Sequence, residues 1–288
     1  MLGATVKERL SDVMGEAVVG YALVGGGCIA DAGIVTLASG RTVFVKTAGG
    51  SRGVFPAEAN GLRELAKPGA IAVPEVIHVE DGFIVLEHIR TGMPSAGFMS
   101  DFGRRFAGLH GHHADSFGFY EDNFIGSTNQ RNTPSLTDPA GWPEFYFNCR
   151  LLFQYRLAER NGIATPELST LFQRLETRID DILAGSEEAP SLLHGDLWSG
   201  NYMTTAEGHP CLIDPAVYYG HREADLGMTQ LFGGFDSAFY RAYDEAYPLP
   251  PGADYREDIY QLYHLLNHLN LFGTAYYAQS ISALKKYV

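Results

Sequence analysis

His194-Gly195-Asp196, Asn201 and Asp214 combine the residue types that move a phosphoryl group onto a hydroxyl. The apolar pair Leu192-Leu193 leads into the His-Gly-Asp turn. An Asn follows the Asp by five positions, and a second Asp stands thirteen positions beyond that Asn. At this spacing the first carboxylate can meet an acceptor hydroxyl, while an amide oxygen and a second carboxylate hold a hard cation such as Mg²⁺. Tyr202-Met203-Thr204-Thr205 and Pro210-Cys211-Leu212-Ile213 read as two short strands around a turn at Ala206-Glu207-Gly208-His209. Such a hairpin returns Asp214 to Asn201. A turn-rich surface loop whose acids are merely solvated is the plain alternative, and the joint fit of spacing and context argues against it.

The elements that must position these groups divide the chain in two. Residues 1–90 read as a strand-rich nucleotide lobe and residues 91–288 as a mostly helical lobe, an α+β arrangement. An amphipathic N-terminal helix carries Leu2, Val6, Leu10 and Val13. A strand from Val18 to Val24 runs into Gly25-Gly26-Gly27-Cys28, and strands at Ile34–Leu37 and Thr42–Lys46 follow around Ser39-Gly40. The glycines let backbone N–H groups close over phosphates, and Lys46 supplies a point charge for them. A bare Gly-Gly-Gly is more often a mobile turn; its place ahead of Val43-Phe44-Val45-Lys46 favours the phosphate reading. A helix from Ala57 to Lys67 carries Glu58 near its start, where it can pair with Lys46 or simply favour the helix dipole. Val73–Val76 and Phe83–Leu86 read as two more strands. Glu87-His88-Ile89 then leaves the lobe as the hinge that would read an adenine edge, with the boundary at Thr91-Gly92.

The remainder predicts helices over Phe98–His110, Trp142–Asn161, Pro166–Leu183 and Tyr255–Gly273. His110, His112 and His113 invite a metal reading, but no Cys partner or HExxH pattern supports it. His264 and His268, four apart on the last of these helices, read as core or subunit-contact residues. Phe119 to Arg131 is a polar, Asn-rich loop, either acceptor-lining or structural. Glu223 and Asp225 open a helix, where a carboxylate can accept N–H bonds, and Asp225 with His194 reads as support for the catalytic turn. Trp198, Tyr218 or Tyr219 could stack on a substrate, or simply pack.

Composition sets the outer limits. The 288 residues are 45% hydrophobic and carry a formal net charge of −13, which argues against a nucleic-acid partner and tolerates a cationic substrate. Three scattered cysteines, Cys28, Cys149 and Cys211, do not make a disulfide scaffold and suggest a reducing cytoplasm. No uninterrupted apolar run is long enough for a membrane span, and charges break any signal-peptide core near the start.

LLHGDLWSGN, IDPAVYYGHREADL and MTQLFGGF resemble the fructosamine kinase (ketosamine-3-kinase) family. So do Phe55-Pro56-Ala57-Glu58-Ala59 and the stretch from Leu262 to Asn270. The likeness therefore spans nearly the whole chain. The HGD…N core is shared by many small-molecule kinases; the added Trp-Ser-Gly and DPAVYYGHREADL are more selective. The resemblance implies a two-lobed protein-kinase-like fold, use of ATP with Mg²⁺, and phosphorylation of the 3-hydroxyl of a ketoamine, small or protein-bound. The unstable product would shed its sugar, which makes the activity a deglycation repair. Departure from GxGxxG leaves the contacts of the glycine loop open. Other acceptors on the same fold (aminoglycoside, choline or homoserine-like) and a non-catalytic nucleotide-binding protein are the rival readings. Cys28, beside the phosphate loop, is expected to form a thiolate readily, so the protein is either a monomer or a homodimer linked through Cys28 as a redox switch.

Overall fold

Residue parity organises the first half of the molecule, of which, as of the whole, a computed structural model describes residues 3–24, 31–47, 53–133 and 141–288. Five antiparallel strands, β1 (Val18–Val24), β2 (Asp31–Leu37), β3 (Thr42–Thr47), β4 (Val76–Glu80) and β5 (Phe83–Glu87), lie in the order β1-β2-β3-β5-β4. Because side chains alternate across a strand, Val35, Val43, Val45, Phe83 and Val85 face one side. There they pack with Leu10 of α1 (Ala4–Met14). Phe44, Ile84 and Leu86 face the other side and pack against Phe55, Ala59 and Leu62 of α2 (Val54–Ala66). Lys46 shares the parity of Phe44, so β3 delivers its side chain to the face covered by α2. The expected strand at Val73–Val76 instead begins at Val76; Pro74 has no N–H for a ladder, and Ala72 pairs with Cys211 elsewhere.

The second half is built around one large apolar cluster. α3 (Phe98–His110) places Phe98, Phe102, Phe106 and Leu109 along one stripe of it. After a short hairpin, β6 (Asn123–Ile125) and β7 (Thr128–Gln130), come α4 (Trp142–Tyr146), a π-turn at Phe147–Leu151 and α5 (Leu152–Arg160). The sequence predicts one helix here; the π-turn divides it and carries Arg150 inward over the ring of Tyr218, 3.9 Å from its centroid. The predicted helix over Pro166–Leu183 is likewise two, α6 (Pro166–Glu176) and α7 (Ile179–Leu183). Thr165 caps the first, and Thr177 turns its hydroxyl back on Arg174 O at the break.

Four short strands then frame the centre of the chain: β8 (Ser191–Leu193), β9 (Tyr202–Thr204), β10 (Pro210–Leu212) and β11 (Tyr218–Gly220). β9 pairs with β10 and β8 with β11, so one ladder nests inside the other. Gly92 N donates to Thr204 O at 3.2 Å, which ties the segment leaving β5 to this hairpin. α8 (Glu223–Leu231), α9 (Ser237–Ala246), α10 (Ala253–Phe272) and α11 (Tyr277–Lys285) complete the packing. No described helix is long and apolar enough to cross a membrane.

α3 crosses α9 at Gly103, where a Cβ would stand 2.2 Å from Phe239 O. Backbone on backbone leaves no side chain to yield. Gly103→Ala should therefore lower the unfolding free energy by about 1–3 kcal/mol, seen as a lower urea midpoint at unchanged slope.

Candidate active site

The His194–Asp196 turn is held from behind by a single carboxylate. Asp225, 1% exposed in the first turn of α8, accepts from His194 N at 2.6 Å and from Gly195 N at 2.7 Å. His110 Nε2 lies 3.3 Å from its Oδ2. Burial alone would raise the Asp225 pKa, but the contacts with His110 and His194 and the backbone donors outweigh it and hold the pKa below its ordinary value. His110 thus belongs to the support of this turn. Gly195 has φ 81°, and a Cβ there would lie 2.0 Å from Ala216 O, so only glycine lets the turn approach the segment that follows Asp214.

His194 stitches the turn to the segment on both sides of Asp214. Its Nε2 donates to Ile213 O at 2.9 Å and its Nδ1 accepts from Asp196 N at 3.3 Å, a pattern that only the neutral ring satisfies. Burial lowers its pKa in the same sense. Ala216 N donates to His194 O at 2.9 Å. Behind this segment, Asn123 Nδ2 donates to Val217 O at 2.7 Å and Gln130 Nε2 to Ala216 O at 2.9 Å. The Asn-rich stretch is therefore a brace as well as a wall: Asn123, Phe124, Ile125, Gly126 and Ser127 also line the cleft.

The hairpin brings the two far ends of the motif together. Leu212 pairs with Tyr202, and Ile213 N donates to Asn201 O at 3.0 Å, so Asp214 emerges beside Asn201. Asn201 Nδ2 donates to Asp196 O at 2.7 Å and to Asp196 Oδ2 at 3.1 Å. Its amide nitrogen is thus committed to Asp196, which leaves Oδ1 as the atom that could hold a cation. Asp214 has φ 53°, a left-handed conformation that Asp tolerates better than most residues. Lys46 Nζ lies 2.7 Å from Glu58 Oε1 and also contacts Asp214 Oδ1. Burial alone would lower the Lys46 pKa; the two carboxylates reverse this and keep it a cation. Among the described residues no three His, Cys, Asp or Glu side chains converge as a metal site. An Asn and an Asp instead form the all-oxygen donor set suited to a Mg²⁺ that arrives with nucleotide phosphates.

These groups line a cleft of about 820 Å³. Val24, Ile34, Phe44, Glu87, His88 and Ile89 line it beside the sheet. On the helical side stand Asp196, Trp198, His268 and Phe272. Trp198, 39% exposed, lies against Gly200, where a Cβ would come within 2.4 Å of the indole. Tyr218 and Tyr219 correct the stacking expectation. They belong to β11, are 2% and 8% exposed, and serve packing: Tyr218 lies beneath Arg150, and Tyr219 OH donates to Glu64 at 2.8 Å. His268 and Phe272, on the cleft rather than in the core or at a subunit contact, were missed. Their only signal was the spacing along α10. Gly25, Gly26, Gly27 and Cys28 lie outside the described residues.

Asp225→Ala should leave His194 N and Gly195 N buried without an acceptor, at roughly 1–3 kcal/mol for each. Because the folded-state pKa of Asp225 is depressed, its ionised form stabilises the protein fully above the unfolded value of about 3.9 and fades as pH falls through the folded value. Denaturation curves of Asp225→Asn across pH should lose that component.

The fructosamine kinase family profile matches residues 2–288. The chloroplastic protein-ribulosamine 3-kinase of Oryza sativa subsp. indica is 39% identical over 288 residues, covering 97% of this chain and 82% of that protein. A Synechocystis relative, provisionally named a ketoamine kinase, is 36% identical over 290 residues, 98% of this chain and 95% of its own. Among solved structures, a provisionally named fructosamine-3-kinase from Thermobifida fusca superposes with a TM-score of 0.88 at 34% identity, covering 98% of each chain. The aminoglycoside phosphotransferase APH(4)-Ia, in complex with ADP and hygromycin B, has a TM-score of 0.66 at 13% identity over 98% of this chain and 96% of that one, and shows the kinase-like fold alone. With the profile spanning the whole cleft and relatives above one-third identity along nearly the full length, the chain belongs to the fructosamine kinase family.

Proposed function

We propose that this protein transfers the γ-phosphoryl group of ATP to the 3-hydroxyl of a ketoamine, the adduct of a sugar with a free or protein-bound amine. The observation that carries the reading is Asp196 at the floor of the cleft, held on one side by Asn201 and sharing the cleft with Lys46, Glu58 and Asp214. Family membership and the names of the relatives, ribulosamine 3-kinase and ketoamine kinase, support the acceptor.

In this reading Glu87, His88 and Ile89 receive the adenine, and Lys46, oriented by Glu58, binds the phosphates. Mg²⁺ held by Asn201 and Asp214 would supply the charge that neutralises those phosphates. Asp196 takes the proton of the acceptor hydroxyl as its oxygen bonds to the γ-phosphorus and ADP leaves. Burial raises the Asp196 pKa well above its ordinary value, opposed by the Asn201 hydrogen bond and reinforced by the Asp214 and Asp225 charges. A raised pKa makes the carboxylate a stronger base. Trp198 offers a flat apolar face to the sugar, and the acidic cleft suits a cationic amine. The phosphorylated adduct would then shed its sugar, and the amine would be repaired. A reducing cytoplasm suits this work; a plant relative carries the designation chloroplastic.

Asp196→Asn should lower kcat by about 10²–10⁴-fold with ATP affinity retained. More than a tenth of parental turnover would remove Asp196 from this role. The acid limb of kcat/KM should lie above the ordinary carboxylate value of about 4, activity falling as pH falls through it. Asp214→Ala should lose Mg²⁺-dependent turnover; unchanged Mg·ATP affinity with normal turnover would place the metal elsewhere. Ketoamines differing in sugar length and amine carrier, assayed side by side with an aminoglycoside and choline, test the acceptor directly.

A further inference from the structure

Asp196 has two carboxylate oxygens, of which one is held among the described residues. Oδ2 accepts from Asn201 Nδ2 at 3.1 Å. Oδ1 faces His264 of α10, whose Nδ1 stands 3.9 Å away. That distance is too long for a hydrogen bond but short enough for a small carboxylate rotation to close.

His264 is an unusual residue to find there. Its ring is 3% exposed, packed beside Tyr263 at 5.0 Å between centroids, and its Nδ1 has no hydrogen-bond partner among the described residues. A buried polar nitrogen left unpaired costs about 1–3 kcal/mol, so one aimed at a reacting carboxylate calls for a partner in some state of the site. Asn267 and His268, the next turn of the same helix, line the cleft, so α10 connects this nitrogen directly to the acceptor side.

We propose that His264 is a positioning residue: its Nδ1–H donates to Asp196 Oδ1 when the carboxylate is ionised, and with Asn201 on Oδ2 it fixes the carboxylate plane toward the acceptor hydroxyl. This rests on the role given above to Asp196. The chemistry of the donor suits the task. Burial, with the nearby His268 and Arg150 charges acting in the same direction, lowers the His264 pKa to about 3, so at neutral pH the ring is uncharged. An ammonium or imidazolium so placed would weaken the base by stabilising its anion. A neutral N–H orients it with little loss of basicity. A plane fixed on both sides matters because misplacement of a reacting group by about 1 Å can cost 10²-fold in rate.

Two variants and one spectrum test this. His264→Phe keeps the ring volume and removes the donor. His264→Asn places an amide N–H near the position of Nδ1. His264→Phe should lower kcat at least about tenfold while KM for ATP moves less than about twofold, and His264→Asn should recover most of the loss. A kcat for His264→Phe within twofold of the parent overturns the proposal, as does a folded His264→Asn no better than Phe. The second arm needs no substrate and so separates this proposal from the identity of the acceptor. In nitrogen-15-labelled histidine spectra, the resonance lost in His264→Asn should report the Nδ1–H tautomer in the parent and should shift in Asp196→Asn. An Nε2–H tautomer, or a resonance indifferent to Asp196→Asn, overturns the contact even if the ring variants fail to fold.

Discussion

The carboxylate of Asp225, buried behind the His194–Asp196 turn, is the interaction on which the site depends. It accepts both consecutive backbone N–H groups of the turn, at 2.6 and 2.7 Å, and touches His110 from α3. A single group therefore joins α8, α3 and the His194–Asp196 turn. Burying an ionised carboxylate is expensive, and it is tolerated here because fixed donors replace the water it loses. Everything downstream inherits this position. Gly195 presses on Ala216, His194 reaches Ile213, and Asp196 projects into the cleft at an angle set by backbone rather than by its own side chain.

Half-buried Asp196 and fully buried Asp225 are close in space, and their environments push them in opposite directions. Asp225 has two backbone donors and a histidine, and its pKa falls. Asp196 has one amide donor and two acidic neighbours, and its pKa rises. Divergent carboxylates of this kind separate a structural acid from a reactive one. The same logic extends across the cleft. Lys46 contacts both Glu58 and Asp214 and offsets one of their two charges, so the acidic floor repels a nucleotide less than its composition suggests.

The helical side of the cleft comes from segments distant in sequence. Trp198 follows the catalytic turn, Phe124 and Ser127 come from the β6–β7 hairpin, and His268 and Phe272 come from α10. Asn123 and Gln130 couple that hairpin to the backbone of Ala216 and Val217, and Tyr263 OH donates to Gln130 Oε1 at 2.7 Å. The cleft wall and the segment that presses on Gly195 thus share one hydrogen-bonded frame.

Spacing in the sequence was enough to bring Asp196, Asn201 and Asp214 together, because the hairpin between them is short and its register follows from local turn chemistry. Period-two alternation was enough to send Lys46 toward α2 and Glu58, since strand parity is a local property. Tertiary packing decided the rest. Tyr218 and Tyr219 share the composition of binding aromatics, but pairing with β8 turned them into core residues under Arg150 and beside Glu64. His264 and His268 look alike on the helix. Only the angle at which α10 crosses the His194–Asp196 turn placed His268 on the cleft wall and His264, its Nδ1 without a partner among the described residues, behind Asp196. That angle is set by side-chain volumes contributed from α5, α8 and α11, a sum over non-local contacts that no window of sequence contains.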